Sequence, residues 1–197
     1  MSEQQTGDLR QVRLDKLNEL INAGRNPYKE TKYEVTSSTQ YIKDNYEEME
    51  GKTISIAGRI MSKRGQGKVG FYDIQDHAGR IQMFAKRDLI GEEEYKWLKT
   101  YDIGDIVGVV GEVFKTQTGE ISVKATEVKL LSKSLQTLPE KFHGLKDPDL
   151  RYRQRYVDLI VNPEIKDIFI MRNKIIRGIR EYLDGEGYLE VETPILS

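Results

Sequence analysis

The chain has 197 residues, a net charge of −1 and no cysteine. This length allows one large domain or two small ones. The absence of cysteine excludes disulfides and thiolate metal sites. The net charge of the whole chain does not indicate a strongly charged ligand. No apolar run approaches the roughly 20 residues that span a bilayer, and the N-terminus lacks the apolar core of a secretory signal. We therefore expect a soluble, cytoplasmic protein with no membrane partner.

Helical periodicity dominates the first 50 residues. Apolar residues recur at helical spacing from Asp8 to Ala23, and a glycine followed by a proline marks the end of that helix. A second helix is predicted from about Ser38 to Met49, because hydroxyl residues precede it as candidate N-caps and one side is apolar. Residues 1–50 are thus predicted to form an N-terminal helical extension.

The pattern changes at residue 51 to the alternation typical of strands. Five β-rich runs follow with turn signals between them, and a helical stretch from Asp88 to Tyr101 lies between the third run and the fourth. The order β-β-β-α-β-β is the layout of an OB-fold, a small, partly open Greek-key barrel. The predicted fold class is therefore mainly β with flanking helices, and residues 51–132 are predicted to form a five-stranded OB-fold barrel.

The last third of the chain begins with a predicted linker, residues 133–150, which is marked by its proline, glycine and Asp-Pro content. Two helices are predicted after it, one over DPDLRYRQRYVDLIVN and a longer one over NPEIKDIFIMRNKIIRGIREYLDGEGY. The final stretch, GYLEVETPILS, is apolar and partly alternating, whereas chain ends are usually polar. This pattern predicts that the stretch leads into buried structure.

Positive charge is concentrated in one part of the chain. Residues 51–87, which hold the first three predicted strands, contain eight basic and two acidic residues, for a net charge of +6. Such a face, with the rings of Phe71, Tyr72 and Phe84 nearby, is typical of OB-folds that bind single-stranded nucleic acid. Aromatic residues of small barrels also occupy the core, but the adjacent Phe71 and Tyr72 must point to opposite faces of a strand. Composition alone leaves nucleic-acid binding and an ordinary solvated surface both open.

Other possible sites carry weaker signals. GQGKVG lacks the P-loop pattern and opens no helix, so we interpret it as a hairpin turn. His77 and His143 are far apart in sequence with no cysteine near them, which argues against a metal site. No Ser-His-Asp set or carboxylate pair is apparent at readable spacing. The residues alone therefore indicate a binding module and no catalytic centre.

The combination of segments resembles the bacterial-type lysyl-tRNA synthetases, a family of class II aminoacyl-tRNA synthetases. The resemblance covers the chain from about residue 9, and KFHGLKDPDLRYRQRYVDL is its most specific part. GYLEVETPIL resembles motif 1 of class II enzymes, a long helix running into a strand with a fixed proline, here Pro194. The resemblance implies an N-terminal fragment that ends at motif 1, with residues 151–197 as the start of a catalytic domain and Pro194 at a dimer interface.

The same resemblance implies a reaction of the parent enzyme. That enzyme would be a homodimer that activates lysine with ATP and Mg²⁺ and transfers it to tRNA(Lys). Motifs 2 and 3 do not occur in the chain, so no catalytic residue is assigned to it. We expect neither catalytic activity nor a bound cofactor or metal for the fragment itself.

The resemblance also assigns an anticodon-binding site to the barrel, for an anticodon rich in uridine. Phe71 matches the aromatic residue that stacks on the central base, and Gln82 matches the residue that reads the edge of that base. Arg59 matches an arginine of the first strand, and Glu120 matches an acid of the fourth hairpin that helps discriminate uridine. The alternatives are a solvent-facing strand residue for Gln82 and a plain turn residue for Glu120.

Phosphate contacts are assigned to three cations near the first hairpin, Lys63, Arg64 and Lys68. Their loop, SKRGQGKVG, is richer in glycine than the family pattern, which makes the individual assignments less specific. Their contribution to affinity should fall as salt rises.

Several alternatives stay open at this point. The barrel could be a general single-strand binder, or the same domain of an aspartyl- or asparaginyl-type synthetase. The chain could also be a protein-interaction module that uses its last long helix as a dimer seam. A natural short protein is disfavoured, because its terminal strand would lack the rest of its sheet.

Overall fold

The structure, a computed structural model, describes residues 3–139, 145 and 147–195. The chain divides into two compact units, Met1–Thr137 and Leu138–Ser197. The predicted linker, residues 133–150, spans this division, and its residues 140–144 and 146, including His143, lie outside the described residues. None of the helices in the described ranges has the length and apolarity needed to cross a bilayer.

The helices before the barrel belong to the first unit. They are α1 (Glu3–Asn22), α2 (Thr39–Asp44) and α3 (Tyr46–Met49). The first helix begins earlier than the predicted Asp8. The predicted second helix is broken at Asn45 into α2 and α3, and the predicted N-cap, Ser38, accepts a hydrogen bond from Tyr41 N at 3.3 Å. Both predicted helical regions are thus present, with different boundaries.

Five strands of the first unit form a barrel. They are β1 (Thr53–Gln66), β2 (Val69–Gln75), β3 (Arg80–Lys86), β4 (Ile106–Lys115) and β5 (Ile121–Ser132). Their order is β1-β2-β3-β5-β4, and a short parallel pairing of β3 with β5 closes the barrel, which the sequence predicted to be partly open. Strand β1 reaches both β2 and β4 because it is long and bulges between Ile60 and Ser62. The predicted OB-fold is confirmed.

The predicted helix between the third and fourth strands is present in two pieces. They are α4 (Arg87–Ile90) and α5 (Glu92–Thr100), which meet at Gly91. The φ of Gly91 is 97°, a backbone region open mainly to glycine, so the chain can turn there between the two pieces. The order β-β-β-α-β-β therefore holds.

Alternation along the strands builds the core of the barrel. On β2, Tyr72 and Ile74 are buried while Phe71 points outward, and on β3, Ile81 and Met83 are buried in the same way. Burying one large aliphatic side chain contributes about 1.5–3 kcal/mol. The inner face of each strand therefore fixes which residues appear on its outer face.

Helix α2 is anchored to the turn between β2 and β3 by Asp76. The Asp76 carboxylate accepts hydrogen bonds from the backbone N and the hydroxyl of Thr39, both at 2.7 Å. It also accepts from the backbone N of Ala78 at 2.7 Å and of Gly79 at 2.8 Å. Burial tends to raise the pKa of Asp76, but these hydrogen bonds outweigh burial and lower that pKa overall. His77 lies exposed in the same turn.

A buried ion cluster joins α1 to the barrel. Lys133 Nζ lies 2.8 Å from Asp105 Oδ2 and 2.6 Å from Asp102 Oδ2, and Lys16 of α1 reaches the other oxygen of Asp102 at 2.6 Å. The side chain of Lys133 is 1% exposed and that of Asp105 is fully buried. Burial tends to raise the pKa of Asp102, but hydrogen bonds from the two lysines lower it overall. Arg13 of α1 also donates hydrogen bonds to three backbone carbonyl groups, that of Ile103 before β4 and those of Ser134 and Gln136 after β5.

The second unit is helical. Its helices are α6 (Pro148–Arg153), α7 (Arg155–Val161) and α8 (Pro163–Gly185). The first predicted helix is broken at Gln154, whereas the long second one is continuous. Residues 188–195 form no regular secondary structure, and Pro194 is exposed.

A buried, hydrogen-bonded carboxylate lies at the junction of α6 and α7. Asp158 is fully buried, and its carboxylate accepts hydrogen bonds from Arg151 Nε at 2.9 Å, from Asn162 Nδ2 at 2.7 Å and from Arg155. The long helix α8, by contrast, exposes much of its apolar stripe. Its large exposed apolar side chains are Ile168, Phe169, Ile170, Met171, Ile175, Ile179 and Leu183.

Replacing Lys133 by methionine should lower the free energy of unfolding by about 3–5 kcal/mol, because Asp105 would stay buried without its charge partner. Lys129→Met is the control, since its ion pair with Glu30 lies near the surface and should cost at most about 1 kcal/mol. Denaturant titration followed by circular dichroism measures both values. Equal effects of the two substitutions would contradict the role given to the buried cluster.

Candidate nucleic-acid interface

The outward side chains of β1, β2 and β3 form one continuous surface, which we call the outer strand face. Phe71 is half-buried on this face, while the adjacent Tyr72 is buried in the core, so the two rings lie on opposite sides of the strand as predicted. Burial raises the pKa of Tyr72 to about 12, because the phenolate would be poorly solvated there. The members of the outer strand face are Arg59, Ser62, Arg64, Phe71, Asp73, Gln75, Arg80, Gln82 and Phe84.

Three phenylalanine rings lie side by side along this surface. Phe71 and Phe84 are opposite each other on β2 and β3, with ring centroids 5.3 Å apart and a tilt of 54°. Phe114 of β4 meets Phe84 edge-on, with centroids 5.9 Å apart. Tilted and edge-on contacts of this kind favour one ring orientation over others. Phe71 is thus supported by packed neighbours, as a stacking platform requires.

Gln82 lies beside the rings and contacts a buried serine. It is two residues before Phe84 on the same face, and it pairs with Ser122 in the parallel ladder between β3 and β5. Ser122 Oγ lies 3.1 Å from Gln82 Oε1 and 3.3 Å from the backbone carbonyl oxygen of Glu120. The structure therefore brings Phe71, Gln82 and the Glu120 backbone into one region of the barrel.

Glu120 lies in the hairpin between β4 and β5 with its side chain exposed. The backbone N of Glu120 donates to Thr116 Oγ1 at 3.0 Å, and Thr116 N donates to the carbonyl of Glu120 at 2.9 Å. The Glu120 carboxylate is 3.8 Å from Lys43 Nζ of α2. Helix α2 therefore borders the candidate site, a contact that the sequence did not predict.

The three cations assigned to phosphate groups point in different directions. Arg64 pairs with Phe71 across the β1–β2 ladder, is 65% exposed and lies 3.7 Å from Asp73. Lys68 is exposed in the turn between the two strands, which confirms GQGKVG as a hairpin. Lys63 Nζ instead donates to the carbonyl oxygens of Lys99 at 2.7 Å and of Tyr101 at 2.8 Å.

Lys63 differs from Arg64 because successive strand residues point to opposite sides. Its two acceptors lie at the C-terminal end of α5, where a positive charge also interacts favourably with the helix dipole. The pKa of Lys63 is lowered, mainly because burial disfavours its charged form. The nearby carboxylate of Asp102 raises the pKa but only partly offsets the effect of burial. Two of the three ammonium hydrogens are thus engaged within the protein.

Arg59 lies on the outer strand face but away from the rings. It pairs with Gln75, four residues along β2 from Phe71, or about 13 Å at 3.3 Å per residue. Its Nη1 donates to the carbonyl oxygen of Gly104 at 2.6 Å. Burial lowers the pKa of Arg59, against an opposing effect of Asp105. The structure does not bring Arg59 together with Phe71 and Gln82.

Two residues of this region were missed by the sequence analysis. Phe114 comes 30 residues after Phe84 in the chain, and only the strand order places the two rings in contact. Ser122 is fully buried although it stands on the outward side, because Gln82 and Phe114 flank it on the neighbouring strands. The alternation of β5 alone could have marked Ser122 as an outward strand residue, but its partner could not be read from the sequence.

Comparison with known proteins agrees with this geometry. A family profile described as OB-fold nucleic acid binding domain matches residues 54–131, and one described as tRNA synthetases class II (D, K and N) matches residues 147–197. A lysine–tRNA ligase of Thermoanaerobacter sp. (strain X514) is 58% identical over 193 residues. Lysine–tRNA ligases of Clostridium perfringens and Clostridium botulinum are 57% and 56% identical over 196 and 195 residues. The chain is related to lysine–tRNA ligases along its whole length.

The relation to lysine–tRNA ligases confirms the family resemblance read from the sequence. The matches cover 98% to 100% of this chain but 39% of each relative, so the chain spans about two-fifths of the length of the curated relatives it matches. The class II profile groups three kinds of synthetase, whereas all three relatives are lysine–tRNA ligases. The relatives therefore favour the lysine enzymes over the aspartyl- or asparaginyl-type alternative.

Lys63→Met should lower the free energy of unfolding by about 1–2 kcal/mol, because the last carbonyl groups near α5 lose a charged hydrogen-bond donor. Arg64→Ala is the matched control and should stay within about 0.5 kcal/mol, since the Arg64 side chain is mostly exposed. Denaturant titration of the two variants tests this difference. A Lys63 variant as stable as the unsubstituted chain would show that its hydrogen bonds to α5 contribute nothing.

Proposed function

We propose that this chain is the tRNA anticodon-binding part of a lysine–tRNA ligase, and that residues 51–132 bind the anticodon loop of tRNA(Lys). The observation that carries the proposal is that a supported ring, Phe71, and a polar side chain, Gln82, lie on adjacent strands of the outer strand face of an OB-fold. The relation to lysine–tRNA ligases supports the choice of tRNA and of amino acid.

The two central residues would divide the work of recognition. Proteins that read RNA by sequence bind unpaired bases, stack them on aromatic rings and form hydrogen bonds to their edges. Phe71 would stack on the central anticodon base, and Gln82 would contact the edge of that base. They are diagonal neighbours on adjacent strands, about 7–8 Å apart between Cα atoms, and this separation is compatible with contact to a single nucleotide.

Glu120 and Arg59 would contribute from the margins of the site. The exposed carboxylate of Glu120 could accept a hydrogen bond from a base, and Lys43 beside it would hold it in place. Arg59 has one nitrogen bound to Gly104 O, so a contact to RNA would use its other donors. We propose that both residues contact the anticodon and contribute less to affinity than Phe71 and Gln82.

Backbone phosphates would be bound chiefly by Arg64 and Lys68. Both are exposed near the β1–β2 hairpin, and Arg64 lies across the ladder from the proposed stacking ring. Lys63 would add a weaker contact, because two of its hydrogens already bind carbonyl groups. Electrostatic contacts of this kind position the RNA without reading its sequence.

The parent protein would carry out the chemistry. We propose that it activates lysine with ATP and Mg²⁺, transfers it to tRNA(Lys) in the cytoplasm, and acts as a homodimer in which α8 and Pro194 contribute to the interface. No residue of this chain is assigned to ATP or Mg²⁺, and among the described residues no group of three His, Cys, Asp or Glu side chains could hold a metal ion. The exposed apolar stripe of α8 supports an interface there.

Phe71→Ala should weaken binding of a uridine-rich anticodon stem-loop by about 1–3 kcal/mol, because one base loses its stacking partner. Fluorescence anisotropy with a labelled RNA hairpin measures the change. Phe169→Ala, which removes an exposed ring of the second unit, is the control and should leave the affinity unchanged. Unchanged affinity of the Phe71 variant would mean that the RNA binds to another surface.

A second candidate function is binding of single-stranded nucleic acid without regard to sequence. The array of three rings beside a cationic hairpin favours it, since stacking and phosphate contacts tolerate any base. Competition between hairpins that differ only at the central loop base separates the two functions. A clear preference for uridine supports anticodon reading, and equal competition supports the general binder.

The double substitution Arg64→Ala, Lys68→Ala should reduce the salt dependence of RNA binding. Each lost phosphate contact on a single strand lowers the slope of log affinity against log salt by about 0.7. Affinities measured over a salt series give the slope, with Lys32→Ala, an exposed cation outside the site, as the control. An unaltered slope in the double variant would exclude these two residues as phosphate contacts.

A further inference from the structure

Ser122 is the one fully buried polar side chain that contacts Gln82 among the described residues. It has no exposed surface, and its position is fixed on both sides, by parallel pairing with Gln82 and by antiparallel pairing with Phe114. Its Oγ lies 3.1 Å from Gln82 Oε1 and 3.3 Å from the carbonyl oxygen of Glu120. A hydroxyl has one hydrogen, so it donates to one of these two acceptors at a time.

The choice of acceptor matters because the end of a glutamine side chain has two chemically opposite sides. When Ser122 donates to Gln82 Oε1, the amide oxygen is occupied and the NH₂ group of Gln82 is left to contact a ligand. An amide NH₂ donates to the O4 acceptor of uracil. Cytosine has an amino group in the place of O4, which needs an acceptor instead.

We propose that Ser122 is a positioning residue that holds the Gln82 amide with its NH₂ group toward the bound base and so selects uracil over cytosine. This inference rests on the proposed function and deepens it. Without the Ser122 hydroxyl, the Gln82 amide could turn over and present its oxygen to the amino group of cytosine. The selectivity of the site then depends on a side chain that never touches the RNA.

The test uses the whole 197-residue chain and two RNA hairpins that differ only in uridine or cytidine at the central loop position. The measured quantity is the ratio of the two affinities. Ser122→Ala should lower the uridine-to-cytidine ratio about fivefold, the effect of one neutral hydrogen bond. Ser55→Ala, which removes a hydrogen-bonded strand hydroxyl that does not contact Gln82, is the matched control and should leave the ratio unchanged.

A purely structural role of Ser122, through its contact to the Glu120 carbonyl, makes a different prediction. It would weaken binding of both hairpins equally and leave the ratio as it was. A double-mutant cycle sharpens the distinction, because Ser122→Ala should change the ratio no further once Gln82 has been replaced by alanine. An unchanged ratio in Ser122→Ala, or an equal change in the Gln82→Ala background, overturns the inference.

A second variant keeps the test valid if Ser122→Ala does not fold, which thermal unfolding would reveal. Ser122→Cys nearly preserves the size of the side chain but replaces the hydroxyl by a weak donor, so the ratio should fall here too. Equal binding of both hairpins by the unsubstituted chain overturns the proposed anticodon reading and this inference with it. A uridine preference that persists in the Ser122 variants overturns this inference alone.

Discussion

The candidate site depends on the two-residue alternation of β2 and β3. Tyr72 and Ile74 fill the barrel, and their burial forces Phe71 onto the outer strand face. A slip of one residue would bury Phe71 and place Tyr72 outside, so the register that stabilises the core also determines which ring faces outward. Gln82 follows by the same rule on β3, one spacing from Asp73. The stability of the barrel and the proposed recognition of RNA thus depend on the same strand register.

The candidate site is assembled from parts that are distant in the chain. The proposed stacking ring comes from β2 and the proposed edge reader from β3. Phe114 of β4 and Ser122 of β5 support them, and a cation of α2 flanks the site. Such support matters because a binding group must be held in one orientation before the ligand arrives. The rings pack against one another, and Gln82 is held by a buried hydroxyl. The barrel therefore presents a preorganised surface instead of a loose set of exposed side chains.

Local patterns predicted most of the fold. The alternation of five runs predicted five strands in the chain order of an OB-fold and placed Phe71 and Tyr72 on opposite faces. The resemblance to a known family, and not the alternation, chose Phe71 as the outward ring and indicated the kind of ligand. Long-range pairing was beyond reach, because nothing near Ser122 in the sequence shows that β5 runs parallel to β3. The direction of Lys63 was missed for a similar reason, since its acceptors near α5 are more than 30 residues away. No pattern in the sequence marks Arg13, which donates hydrogen bonds to three backbone carbonyl groups.

The most direct test of the central claim is isotope-filtered NMR of the chain bound to a uridine-rich anticodon stem-loop. The account predicts nuclear Overhauser contacts between the ring protons of Phe71 and the H5 and H6 protons of the central uracil. Contacts of that uracil with other side chains, and none with Phe71, would contradict it.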